Sequence, residues 1–587
     1  MLLASGDEVP FIIICQSFID REKWKSRKSF FFETLAFCLN LQNFWRFPRE
    51  AYIRGQGAFV YLYIFFMMFI GSVILFFEVA LGQYSSRGPC KVFSLCPIFE
   101  GISVSMALYC MILSIYYNIL NVHSFLYFFA SFNKTIEYSN CNSIPSSHCV
   151  KGSSNVSLSP EYAYFTYRVI ADVKDFSRSH DTSLPSLRNA TILFFLWILV
   201  CIMILKSVRI VRWPAITYCP IPFLAFTVTI ISALTVEGAS NGLRAMFVCK
   251  MEDFKQAKVW FYSLEQALVS LGLGIGPIIT LGSYAKFQTP TDRDSLYITI
   301  ATMISALMAG AIAFCTAGIL ASEQNESVET VLKYNGVYST DFCVHVLLSQ
   351  LITRLPNTLA HVISLILFFT LFLAGWYSLI SLTESVIVSC YTFFPICHKY
   401  KIATNLGVCM TCCIFGMLIA SPVGYKILLC IDHILISSAV VIVIMCELCA
   451  VIYIYGIHEF SDDIAFMLGF SPNTYIQFVW LFSPFVIMII YCRMVYFISL
   501  LSLTLYEKFL TQLSITVSIL PIAIVAVKNC FEFYKAGDIT RVFVSRDATG
   551  EISDIDLQSA SVPWFRKFRE SVVTSSPTPG PSTRNIN

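Results

Sequence analysis

Two short clusters in this sequence place polar groups where their surroundings are apolar. Asn40-Leu-Gln42-Asn43, followed by Arg46 and Pro48, interrupts one hydrophobic run; Ser270-Leu-Gly272-Leu-Gly274-Ile-Gly276-Pro277 interrupts another. Amide oxygens, a hydroxyl and freed backbone carbonyls suit small cations and hydrogen-bonded solutes, and polar groups inside apolar spans usually mark such a pathway. Alternate glycines ending in a proline make a continuous helix unfavourable. Unpaired backbone at membrane depth survives only around a cavity or inside protein, and paired broken helices build the mid-membrane sites of secondary transporters. The sequence has no phosphate loop, no HExxH zinc motif and no Ser/His/Asp arrangement. Cys446-Glu-Leu-Cys449 has metal-like spacing but sits in an apolar run and reads as packing. These residues point to binding and passage, with no enzyme chemistry.

The elements that must hold those clusters follow from composition. Of 587 residues, 56% are hydrophobic and 13% charged, whereas soluble domains carry about 25% charged residues. The mean hydropathy is +0.69. Such a chain is an all-α polytopic membrane protein embedded in a lipid bilayer. Its net charge of +3 is too balanced for a nucleic-acid partner. A spanning helix needs about 20 apolar residues. Runs of that kind predict twelve spans, at 30–53, 58–82, 103–132, 189–206, 214–235, 258–282, 296–321, 359–391, 404–420, 426–456, 475–498 and 510–531. The polar clusters fall in spans 1 and 6. That separation is what an inverted five-plus-five repeat produces, with a first repeat over 30–235, a second over 258–456 and two further helices over 475–531.

Basic residues set the orientation. Arg21, Lys23, Lys25, Arg27 and Lys28 precede span 1, and Lys206, Arg209 and Arg212 follow span 4. Lys286 and Arg293 follow span 6, and Lys399 and Lys401 follow span 8. All these lie on one side, which places both termini in the cytoplasm: the N-terminal segment 1–29 and a mostly disordered tail over 533–587, rich in Ser, Thr and Pro. The longest loop, 133–188, then faces outward. It carries the sequons at Asn133 and Asn155, with Asn189 at its far end, and the pair Cys141 and Cys149, in a compartment where glycans and disulfides occur.

Several motifs together resemble the sodium- and chloride-dependent neurotransmitter and amino-acid symporters. They are Asn43-Phe-Trp45-Arg46-Phe-Pro48, Gly55-Gln-Gly57-Ala-Phe59, Phe77-Glu78-Val-Ala-Leu-Gly82-Gln83-Tyr84, Ser114-Ile-Tyr-Tyr117-Asn118, Ser283-Tyr284-Ala-Lys-Phe287 and Met467-Leu-Gly-Phe-Ser-Pro472. They occur in family order across about residues 21–530.

The resemblance implies specific sites. A first sodium would take Asn43, the Cys38 carbonyl, Ser270 and Thr302, where the family has an asparagine at the last position. A second would take the carbonyls of Ala36, Leu39 and Ala374 and the Ser378 hydroxyl, with Tyr377 in place of the usual small residue before it. Chloride would meet Tyr63, Gln266 and Ser270, while Ala306 replaces a serine donor. Arg46 and Asp432 resemble an outer gate above Tyr117. Arg21, Trp24 and Tyr284 resemble the inner gate, whose acidic partner aligns with Thr392. Glu78 is expected to brace the broken backbone.

The substrate pocket implied by the alignment is Phe37, Asn40, Leu113, Ser114, Tyr117, Val269, Ile275, Ser378, Leu379 and Leu382. Asn40 stands where monoamine carriers have an aspartate, and it cannot neutralise an ammonium. With Gln42 replacing a glycine beside it, the resemblance implies a sodium-coupled symporter of a small neutral amino acid or related amine. Chloride would be a further ion, the plasma membrane the location and alternating access the mechanism. A transport-deficient or sodium-independent member, acting as sensor, receptor or trafficking partner, is the alternative raised by the departures at Asn40, Gln42, Thr302, Ala306, Tyr377 and Thr392.

Overall fold

The first apolar segment cannot stay helical through Leu39-Asn40. Helix α1 (Arg27–Cys38) ends at Leu39, whose backbone leaves the helical region at φ −77° and ψ 55°, and the chain resumes through a π-helical turn, Gln42–Arg46, into α2 (Phe47–Ile53). These elements belong to a computed structural model that describes residues 23–86, 88–133, 135–141, 144, 149, 159–171, 186–205, 215–334, 344–432, 437–500 and 505–535. All regular elements among the described residues are helical.

Four continuous spans follow the break: α3 (Gly57–Ser85), α4 (Pro97–Ala130), α5 (Leu187–Leu205) and α6 (Ala215–Ala233). A short helix, α7 (Ala239–Phe247), leads to the second interrupted segment, α8 (Ala257–Leu271) and α9 (Pro277–Ser283). Then come α10 (Asp292–Gln324), the short α11 (Val344–Ile352), α12 (Asn357–Phe393), α13 (Lys401–Ile419), α14 (Pro422–Cys430), α15 (Ala439–Leu468), α16 (Thr474–Arg493) and α17 (Ile515–Lys535). Ten of these are long and apolar enough to cross a membrane, and the two broken segments lie outside that ten.

The boundary between the ninth and tenth apolar runs is made by Ser421, whose Oγ accepts from Gly424 N at 3.0 Å, with Pro422 opening α14. Both are helix-start signals. Residues 457–468, expected as loop, are helical and continue beyond a bend at Gly456.

The layering follows from burial. Of the most apolar stretch, 72% is buried in α3 and 67% in α10, against 22% in α16 and 17% in α17. Helices α3 and α10 therefore form the core with the broken segments, and α16 and α17 lie at the periphery. Phe478, Phe485 and Ile489 stay exposed on α16, as do Leu224 and Ile231 on α6. Exposed apolar faces of this size suit a hydrocarbon solvent. Trp480 anchors α16 inward: it is fully buried, stacks on Phe76 and donates from Nε1 to the Val73 carbonyl at 3.2 Å.

Helix α9 rides directly on α3. A Cβ on Gly82 would stand 2.2 Å from the Ile279 carbonyl, and one on Gly282 would stand 2.6 Å from that of Val79. The two backbones approach as closely as the missing side chains allow. The break itself needs left-handed backbone at Gly272 (φ +68°) and Gly274 (φ +69°), and a Cβ on Gly272 would meet the Phe37 ring at 2.5 Å. Glu78 of α3 reaches across to accept from Gly274 N at 2.6 Å, the bracing role expected of it. Gly272→Ala combines a strained φ with an aromatic clash and should cost about 1–3 kcal/mol. A lower apparent melting temperature of the purified protein would register it; an unchanged one would show that the break tolerates a side chain there.

Candidate functional site

The two breaks face each other, and the side chains of one satisfy the backbone of the other. Asn40 Nδ2 donates to the Ser270 carbonyl at 3.1 Å, and Asn43 Nδ2 donates to the Cys38 carbonyl at 2.7 Å and to the Ser270 carbonyl at 3.2 Å. Cys38 Sγ donates to the Leu271 carbonyl at 3.5 Å, and Cys110 Sγ of α4 to the Ile275 carbonyl at 3.1 Å. Helix ends leave carbonyls without intrahelical partners, so each of these bonds replaces a missing one.

Asn43 Oδ1 in this cluster is buried without a hydrogen-bond partner, as is Thr302 Oγ1 on α10. Rotating the Asn43 amide by half a turn would point its oxygen at the same carbonyls, giving convergent oxygens suited to a small cation. Cys38, Asn43, Ser270 and Thr302 are all fully buried.

Ser270 is also the hub of a second group. Its Oγ accepts from Tyr63 Oη at 3.1 Å and from Gln266 Nε2 at 3.2 Å, and that same Gln266 nitrogen reaches the Gln42 carbonyl at 3.2 Å. Tyr63, Gln266 and Ser270 thus supply neighbouring donors for an anion, while Ala306 adds none.

The residues expected to line a pocket are buried: Phe37, Asn40, Leu113, Ser114, Tyr117, Val269, Ile275, Ser378, Leu379 and Leu382. Ser114 and Ser378 donate to carbonyls one turn back, Cys110 at 2.7 Å and Ala374 at 2.9 Å. The Leu39 carbonyl accepts from Tyr218 Oη of α6 at 2.7 Å.

Next to the first break, the expected Arg46–Asp432 pair forms part of a larger charge cluster. Arg46 and Asp432 are 3.7 Å apart, but both have shorter partners. Arg46 pairs with Glu265 at 2.6 Å and donates to Gln266 Oε1 at 3.1 Å. Asp432 is held by Arg49 at 2.5 Å and by the Tyr116 hydroxyl at 2.9 Å. Glu50 takes Arg49 at 3.0 Å and Arg54 at 3.1 Å, and the Arg54 guanidinium lies 3.8 Å from the Tyr262 ring centre. Arg49, Glu50 and Arg54 escaped the sequence reading, although three charges at positions i, i+1 and i+5 just past an apolar break were a visible signal. Glu265 was equally visible beside Gln266.

The residues expected at the inner gate also pack together. Trp24 donates from N to the Tyr284 carbonyl at 2.8 Å and from Nε1 to the Leu281 carbonyl at 3.2 Å. Lys23 reaches Ser86 Oγ at 2.8 Å and the Ser283 carbonyl at 3.0 Å. Arg27 grips Asp294 through two bonds, at 2.9 and 2.8 Å. The carboxylate that meets Tyr284 is Glu384, at 2.9 Å, whereas Thr392 bonds its own helix at Val388. Arg21 lies outside the described residues.

Within the 133–188 segment, Cys141 and Cys149 are joined, with Cα atoms 5.7 Å apart. Asn133 is exposed, and Asn155 lies outside the described residues. Asn189 does not suit a glycan: its side chain is buried, and Nδ2 donates to the Val169 and Ile170 carbonyls at 2.9 and 3.3 Å.

Two broken helices meeting at buried polar ligands, with a closed layer above and below, define a polytopic helical membrane protein built like a secondary transporter. The model of the sodium:neurotransmitter symporter family matches residues 21–536, and the chain belongs to that family. It is 28% identical over 481 residues to a sodium- and chloride-dependent GABA transporter of Drosophila melanogaster, covering 78% of this chain and about half (49%) of the relative. It is also 28% identical over 502 residues to sodium- and chloride-dependent glycine transporter 1 of Xenopus laevis, covering 80% of this chain and 78% of the relative.

The pairing on the outer side predicts a specific mutational pattern. Glu265→Gln leaves Arg46 buried beside a neutral group and should cost about 3–5 kcal/mol. In double-mutant cycles on apparent stability, Arg49→Gln should couple to Asp432→Asn more strongly than Arg46→Gln does. The reverse order, or a Glu265→Gln effect below about 0.5 kcal/mol, would return the gate to the Arg46–Asp432 pair.

Proposed function

We propose that the chain is a sodium-coupled symporter of a small neutral amino acid or related amine, working across the plasma membrane by alternating access. The observation that carries this reading is the partnerless buried Asn43 Oδ1, whose amide sits against the Cys38 and Ser270 carbonyls where the two breaks meet. Sodium is co-transported there as a substrate. Chloride is assigned to Tyr63, Gln266 and Ser270, which supply three donors without the span-seven serine. The names of the relatives, which specify GABA and glycine, support an amino-acid substrate of modest size. Asn40 in place of a carboxylate argues against a monoamine. In this reading the two broken segments cross the bilayer with the ten continuous helices, giving twelve spans in two inverted repeats, and both termini are cytoplasmic.

A second reading, a family member that no longer transports and serves as a sensor or trafficking partner, is favoured by one observation. The outer closure is more heavily bonded than a two-residue latch, with Arg46, Arg49, Glu50, Glu265 and Asp432 all buried and paired.

The deciding measurement is the melting temperature of purified full-length protein in sodium against N-methylglucamine, with chloride and gluconate exchanged separately. An ion binding only the folded state at a hundred times its Kd stabilises by about 2.7 kcal/mol. A sodium-specific rise, with sodium-dependent uptake across an amino-acid panel, is expected. No rise at saturating sodium, with no flux from surface-expressed protein, would replace symport by the second reading.

A further inference from the structure

The carbonyl end of α1 needs partners, because the last carbonyls of a helix lack intrahelical donors and carry the negative end of its dipole. A cation or a fixed donor can fill that need. At Leu39, the residue that ends α1, the partner is the Tyr218 hydroxyl at 2.7 Å. We propose that Tyr218 takes the place of a second cation, so that α6 braces the first break permanently and no second sodium ion binds there. The inference deepens the symport reading, on which it rests for sodium at the first site, and concerns the ion stoichiometry of that cycle.

Three further observations carry it. Three of the four oxygens assigned to a second sodium are already engaged: the Leu39 carbonyl accepts from Tyr218, and the Ala374 carbonyl accepts from Ser378 Oγ at 2.9 Å. The Tyr377 ring stacks on that of Tyr218, centres 4.6 Å apart and planes 20° apart, and both rings are buried. Tyr377, which looked misplaced for an ion site, is thus the platform that holds the Tyr218 phenol in position. Cys219, the next residue, donates from Sγ to the Phe32 carbonyl at 3.6 Å, so the start of α6 is tied to α1 at two levels.

The chemistry of the exchange is specific. A phenol O–H donates one bond to one carbonyl, whereas a cation draws several oxygens together at once. The hydroxyl cannot dissociate into the cytoplasm as an ion can. An inner opening that swings α1 away must therefore break a covalently anchored bond, and cytoplasmic sodium has no influence on that step.

The test counts sodium ions on the purified full chain with radioactive sodium at saturating concentration. Tyr218→Ala removes both the donor and the ring, and should bind one more sodium ion per chain than wild type. An equal count in the two proteins overturns the proposal, as does a wild-type count of two. A wild-type count of zero that rises to one in Tyr218→Ala supports the proposal and overturns the symport reading instead. Should Tyr218→Ala fail to fold, Tyr218→Phe decides: it keeps the stack and removes the hydroxyl. Its apparent melting temperature should fall by about 1–3 °C and not recover in high sodium. An unchanged melting temperature in Tyr218→Phe overturns the bracing role.

Discussion

Six charges buried above the break set the terms for the rest of the molecule. Arg46, Arg49 and Arg54 face Glu50, Glu265 and Asp432, and five of the six side chains are at most 2% exposed. Taking one such ion out of water costs several kcal/mol even after relaxation, and mutual pairing offsets this only when geometry and count both close. Here they do: three positive charges meet three negative ones, and each carboxylate contacts at least one guanidinium. The members come from the segment around α2, from α8 and from the turn after α14, so electroneutrality is satisfied only while those elements stay together. Freeing one member of the cluster would strand its partner in low dielectric, so the six charges are coupled.

Below that layer the governing constraint is backbone satisfaction. A broken helix exposes carbonyls and amides that a bilayer cannot solvate. Side chains on other elements supply many of the bonds that repair the breaks: Asn40 and Asn43 onto Ser270, Glu78 onto Gly274, Cys110 onto Ile275 and Tyr218 onto Leu39. The site therefore consists of what is left once the protein has met its own backbone needs. What remains there without a partner is the oxygen of Asn43, beside half-helix ends that concentrate partial charge. The charge layer and the first break share the segment Gln42–Arg46, so a movement of that segment away from Glu265 displaces Asn43 as well.

Part of this was legible in the sequence and part was not, for identifiable reasons. The breaks at Asn40–Asn43 and Gly272–Pro277 could be read because glycine, proline and amides inside apolar runs have local consequences. Burial of Cys38, Asn43 and Ser270 followed from the same pattern. Pairing partners were another matter, because they depend on which helix faces which. Alignment placed the inner acid at Thr392, while the carboxylate that reaches Tyr284 is Glu384, two turns earlier on α12. Asp432 was expected to meet Arg46, but Arg49, one helical turn further along, comes closer. Tyr218 gave no signal, since an aromatic residue near the start of an apolar span is unremarkable until its hydroxyl is found on a broken-helix carbonyl.

The closed state also holds polar capacity that it does not use, and this bears on what the site accepts. Both ends of the Asn118 and Asn121 amides are buried without partners. Asn121 packs where a Cβ on Gly375 would stand 1.9 Å away, beside the Leu41 side chain of the first break. Each unsatisfied buried amide costs about 1–3 kcal/mol, a cost a bound molecule can recover by supplying both donors and acceptors. A neutral amide discriminates by hydrogen-bond direction more than by charge, so a cation without acceptors would satisfy only half of it. A zwitterion carries an ammonium and a carboxylate on adjacent atoms and can serve both ends of such groups. Asn40 obeys the same rule: its amide can match dipoles through hydrogen bonds but cannot neutralise a charge.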